Sequence, residues 1–176
     1  MARIARGGDG ASRRRADLRQ EAWPGHFAWG ATEERGFFSV PRSLPLVLRA
    51  LGDKKVTGTK DVGSVYLELF SRHWDGGVVE MTHESEHAFA AGYASTKTWR
   101  ERMRVLEELG FIKVRASGVR DFAHVLLIHP SVAMQGLRDQ GLVPDELWNA
   151  YRDVQRMAKE RTPTDLASPP APWAAP

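Results

Sequence analysis

Gly92-Tyr93-Ala94-Ser95-Thr96-Lys97-Thr98-Trp99-Arg100-Glu101-Arg102-Met103-Arg104-Val105-Leu106-Glu107-Glu108-Leu109-Gly110-Phe111-Ile112 holds the strongest structural pattern in this chain. Serine favours helix amino ends and glycine favours the residue just past a carboxyl end, so Ser95 and Gly110 bracket a helix. Gly92 supplies a turn ahead of it. Trp99, Met103, Leu106 and Leu109 recur at helical spacing and predict one buried face. Lys97, Arg100 and Arg104 form a cationic row on the opposite face. A helix with that division of faces suits the major groove of DNA.

On the amino-terminal side, Thr82 is the expected cap of a preceding helix over about 83–91. Before it, Asp75-Gly76-Gly77 turns into a short strand, Val78-Val79-Glu80-Met81. Ser64 to His73 predicts a further helix, burying Val65, Leu67, Leu69 or Phe70. Downstream, Phe111–Arg115 and Phe122–His129 predict a hairpin with Ser117-Gly118 at its turn. In its first strand Ile112 and Val114 alternate with Lys113 and Arg115, giving one apolar and one cationic face.

The flanks are less regular. Residues 1–35 are rich in Arg, Gly and Ala without periodicity and are expected to be mostly disordered, with Trp23, Phe27 and Trp29 able to pin part of them. Gly36 to Pro41 reads as a short extended stretch. Ser43 to Leu51 predicts a helix with Pro45 in its first turn. Gly52 to Val62 reads as a polar loop; its Gly58-Thr59-Lys60 lacks the spacing of a phosphate cradle. After Pro130, helices are expected at about 131–140 and 144–161. The second carries a stripe of Leu147, Tyr151, Val154 and Ala158, which packs either on the chain's own first helices or on a second copy as a homodimer seam. The segment 162–176 is rich in Pro and Ala and reads as a flexible tail. The expected organisation is therefore a basic segment 1–35, a domain 36–130, C-terminal helices 131–161 and a tail. The expected class is α+β, mainly helical, with a small antiparallel sheet.

Composition narrows the function classes. The 176 residues are 42% hydrophobic and contain no cysteine, which excludes disulfides and thiolate zinc sites and fits a cytoplasmic setting. No apolar run approaches the roughly 20 residues that cross a bilayer, and Met1-Ala2-Arg3-Ile4-Ala5-Arg6 has no apolar segment after it, so neither a membrane span nor a secretory leader is expected. The net charge is only +3, but it is unevenly placed. Residues 1–20 hold six arginines against Asp9 and Asp17. Residues 95–120 hold Lys97, Arg100, Arg102, Arg104, Lys113, Arg115 and Arg120 against Glu101, Glu107 and Glu108. Two basic clusters in a nearly neutral chain fit a polyanion partner.

Over about residues 64–129, the capped helix running into Leu106-Glu107-Glu108-Leu109-Gly110-Phe111-Ile112 and a hairpin resembles the winged helix-turn-helix superfamily of bacterial regulators and replication initiators. The resemblance implies double-stranded DNA as partner and no cofactor. By position it implies groove contacts from Ser95, Thr96, Lys97, Arg100 and Arg104, and wing contacts from Arg115, Ser117 and Arg120. Trp99 departs from the pattern, being bulkier than the aliphatic residue usual there. The implied role is transcriptional regulation, with replication or maintenance of a plasmid or phage as the alternative.

A second motif competes. His83-Glu84-Ser85-Glu86-His87 has the His-Glu-x-x-His form of zinc peptidases, with Glu107 twenty residues on as a conceivable third ligand. Its context disagrees: Ser85 stands where such helices carry a large apolar core-packing residue, Glu86 adds a charge that the peptidase pattern avoids, and Ala90 replaces the glycine of the longer variant. The expectation is a solvent-facing helix with His83 and His87 as surface residues, and zinc peptidase activity as the alternative from a different class.

Overall fold

A computed structural model describes residues 40–73 and 77–167, together with Asp17. The expected N-terminal disorder, the anchoring role of Trp23, Phe27 and Trp29, most of the extended stretch before Pro41, the turn at Asp75-Gly76 and the tail beyond 167 lie outside the described residues. The chain divides after Phe38, and the elements below all belong to the unit that follows. It is α+β and mainly helical, with one small antiparallel sheet.

Helix α1 (Leu44–Leu51) starts behind Ser43 with Pro45 in its first turn and buries Leu44, Val47, Ala50 and Leu51. The segment expected as a polar loop instead contains a short helix, α2 (Lys54–Thr57), because the Asp53 carboxylate accepts from the Lys55 amide at 2.8 Å and Val56 reaches the core. Helix α3 (Gly63–Arg72) buries Val65, Tyr66, Leu69 and Phe70, whereas Leu67 is exposed. The expected inner face is therefore corrected by one helical step: 65, 66, 69 and 70 share a stripe, and 67 lies off it. Strand β1 (Val78–Glu80) leads to α4 (Glu84–Ala90), whose cap position is His83 rather than the expected Thr82.

Helix α5 (Thr96–Glu108) comes next, a short turn after α4. Helices α4 and α5 close in the same way. Gly92 (φ +87°) lets the Tyr93 amide reach back to the Ala88 carbonyl at 2.8 Å. Gly110 (φ +78°) lets the Phe111 amide reach the Leu106 carbonyl at 3.0 Å. These left-handed positions favour glycine because a Cβ would meet the following carbonyl. Trp99, Met103 and Leu106 are fully buried.

Strands β2 (Ile112–Ser117) and β3 (Arg120–Leu127) form the hairpin, and β1 adds to the far edge of β3, giving the order β1-β3-β2. Gly118 and Val119 make the two-residue turn, with φ +60° at the glycine alone, the pattern of a type II′ hairpin turn. The register shifts between Arg115, opposite His124, and Ser117, opposite Arg120. Such an irregularity bends the tip relative to the sheet.

Helices α6 (Pro130–Asp139) and α7 (Asp145–Ala158) complete the helical layer. Helix α7 packs on α1, and Leu147 and Tyr151 are buried. Half of the stripe offered as a dimer seam is thus core of this chain, and only Val154 and Ala158 stay partly open. Among the described residues no helix is long and apolar enough to cross a membrane.

Helix α8 (Pro163–Ala167) corrects the expectation of a flexible tail from Thr162 onward. Its start is a reciprocal cap. The Asp165 carboxylate accepts from the Thr162 amide (2.7 Å) and hydroxyl (2.6 Å), while Thr162 Oγ1 accepts from the Asp165 amide at 3.4 Å. These bonds hold the Asp165 carboxyl below its ordinary range, the Thr162 hydroxyl foremost. A depressed carboxylate contributes stability above its ordinary pKa and loses it as pH falls through the lowered value. Amide resonances of 162–167 should therefore lose helical shifts on acidification before those of α5, and Asp165→Asn should abolish that early step.

Candidate nucleic-acid interface

With Trp99, Met103 and Leu106 turned inward, α5 must present Lys97, Arg100 and Arg104 to solvent, and all three are exposed. Their engagements differ. Arg100 Nε meets Glu84 Oε2 at 2.5 Å, and the Glu84 side chain is only 13% exposed, so this pair ties α5 to the first turn of α4. Arg104 reaches Asp121 on β3 at 3.8 Å with both side chains more than half exposed. An exposed pair of that kind contributes about 0–1 kcal/mol and exchanges readily for another anion. Among the described residues Lys97 has no ion pair.

The amino end of α5 is electropositive twice over. Ser95 stands at the cap position, but its side chain makes no capping bond, contrary to the role expected of it. The first helical amides thus lack a side-chain partner at this end. The first turn holds Lys97 and no acid, and the last holds Glu107 and Glu108 with no base. Each charge placed this way opposes the helix dipole, at about 0.3–1 kcal/mol. Glu107 also fastens the helix to β2, since its Oε1 accepts from the Val114 amide at 3.2 Å.

On the hairpin, Lys113 and Arg115 lie on the open face of the sheet, while Ile112 is buried and Val114 partly so. Arg115 stands opposite His124, which stands opposite Glu80. Ser117 is exposed beside the turn, and Val119 at the tip is fully exposed. Arg120 donates through Nη1 to the Met81 carbonyl at 3.1 Å, so part of its guanidinium links the hairpin to the segment between β1 and α4. The structure thus leaves Ser95, Thr96, Lys97, Arg104, Arg115 and Ser117 uncommitted or loosely held, and gives Arg100 and Arg120 intramolecular duties. Glu84 and Met81, which assign those duties, carry no signal in the sequence.

The two histidines of the zinc-like motif part company. His83 is exposed and extended at the cap of α4, outside the helix. His87, expected on the surface, is buried, because the helical phase of α4 turns it with Ala88 toward α3 and α5. Its Nδ1 lies 3.0 Å from Glu68 Oε1, which also takes Arg72 Nε at 2.5 Å. The His87 ring lies 6.2 Å from that of Trp99. Among the described residues no three His, Asp or Glu side chains gather to hold an ion.

Compared with protein-family models, with curated proteins and with solved structures, the chain matches none.

His87→Ala should lower the unfolding free energy by about 2–4 kcal/mol, since it opens a cavity beside Trp99 and strips a partner from a buried carboxylate. Urea denaturation measures this. A change within about 0.5 kcal/mol would make His87 an ordinary surface residue.

Proposed function

We propose that the chain binds double-stranded DNA as a winged helix, with α5 entering the major groove and the β2–β3 hairpin acting as the wing. The order α3-β1-α4-α5-β2-β3 is the order that module requires. The charge reversal on α5 is the main support. Lys97 and uncapped amides stand at its amino end, at a cost to the isolated helix, and a phosphate backbone there turns that cost into attraction. Lys97 with Ser95 and Thr96 is the best placed for base edges. Arg104 can leave Asp121 for a phosphate with little loss. Arg115 serves the backbone beside the wing, and Arg100 sets the angle between α4 and α5.

Regulation of transcription is the role that such a module serves most directly. A single module reads few base pairs, so binding as a homodimer on a symmetric site supplies the specificity. With Leu147 and Tyr151 inside the protomer, any seam on α7 is narrowed to Val154, Ala158 and the exposed Met157.

Duplexes selected from a random pool test the reading. Lys97→Ala should cost about 1–3 kcal/mol on the selected site and less on random duplex. Arg115→Ala should weaken both alike and reduce the log–log salt slope by about 0.9. Binding that ignores salt, or is untouched by both changes, would contradict it.

A further inference from the structure

A cavity of about 290 Å³ opens on the side of α7, between the amino ends of α1 and α6 and the carboxyl end of α7. We propose that it binds a small organic acid with a flat apolar body, such as a one-ring aromatic carboxylate.

The wall is built. Glu160 accepts from both the amide (3.0 Å) and the hydroxyl (2.5 Å) of Ser43, which draws the end of α7 onto α1 across 117 residues of chain. That commits the cavity's one carboxylate to neighbours of its own. Gln155 is 2% exposed; its Nε2 donates to the Tyr151 hydroxyl at 2.9 Å, and its Oε1 has no partner. The rings of Pro41, Pro130 and Tyr151 supply flat apolar surface. Pockets that join such surface with a few fixed polar groups are the usual form of small-molecule sites.

The rim selects the charge. Lys159 and Arg161 flank Glu160, and among the described residues neither makes an ion pair; Arg161 donates to the Asp165 carbonyl, at 3.4 Å. Beside them His129 accepts from the Ser131 amide through Nδ1 at 3.2 Å, so a neutral ring carries its proton on Nε2 and can donate. Burial first, and Arg161 second, lower its pKa from the ordinary value against a smaller opposing pull from Glu160, and the net shift favours the neutral ring.

Lys159 is the telling residue. Helices α4, α5 and α6 end on Gly92, Gly110 and Gly141, each at positive φ. Helix α7 ends in the same hydrogen-bonded turn, with the Glu160 amide reaching Gln155 at 3.0 Å and the Lys159 amide reaching Arg156 at 3.3 Å. Its left-handed position (φ 56°, ψ 37°), however, is held by lysine. A side chain there costs stability that glycine would not. The lysine puts a cation on the rim at the expense of the fold.

The site stands or falls independently of DNA binding. The ¹⁵N-labelled full chain is titrated with benzoate and, separately, with neutral benzyl alcohol. Benzoate should give saturable shifts of the Gln155 side-chain amide and the 159–161 backbone amides, and benzyl alcohol should bind at least about tenfold more weakly. Lys159→Gly should raise the Tm while weakening benzoate about tenfold or more, and Arg161→Gln should weaken it without unfolding the chain. Absence of shifts at millimolar benzoate, equal binding of the two probes, or wild-type affinity in both variants would overturn the proposal, as would a lowered Tm in Lys159→Gly.

Discussion

Trp99 is where α4, α5 and the sheet meet. Its ring lies edge-on to Phe122 of β3 at 5.6 Å and beside His87 of α4 at 6.2 Å, with no exposed surface. Truncating a buried tryptophan in general costs about 3–5 kcal/mol, a large share of a domain's stability. Because this one ring contacts both the preceding helix and the sheet, it sets the rotation of α5 about its own axis. Everything on the outer face follows from that rotation. A turn of one residue would send Lys97 and Arg104 toward the protein and bring a buried position out.

Around that anchor, polar groups fix the neighbouring elements. Glu68, on α3, binds Arg72 of its own helix and His87 of α4, so the helix before the turn is held by a buried polar contact as well as by apolar packing. Glu84 then holds Arg100, and Glu107 holds the amide of Val114. Directional contacts of this kind add modest net stability, but they restrict the angles at which helices and strands can meet. The cations left open to solvent on this side are those that these contacts do not use.

The outline was legible in the sequence because its strongest signals are local. Gly92 and Gly110 mark left-handed turns wherever they fall in a helical pattern, and Trp99, Met103 and Leu106 need only the helical period to be assigned to one face. The alternation of Ile112 and Val114 with Lys113 and Arg115 likewise separated the two faces of β2. What escaped was either long-range or one step out of phase. His87 looked like a surface residue because its partner, Glu68, lies nineteen residues earlier on another helix. Leu67 looked like core because it is a leucine, while Tyr66 beside it takes the buried position. The cap at Thr162 and Asp165 was present as a local pattern, but the proline and alanine around it hid it. The duties of Arg100 and Arg120 depend on Glu84 and Met81, which only the fold brings near.

Binding through α5 and the wing is most sharply checked by amide hydrogen exchange of the full chain, with and without a random-sequence duplex at low salt. New protection should appear at residues 95–100 and around the β2–β3 turn, with α7 and α8 unchanged and the effect lost at high salt. Protection confined to α7 and α8, or none at α5, would contradict DNA binding by this helix.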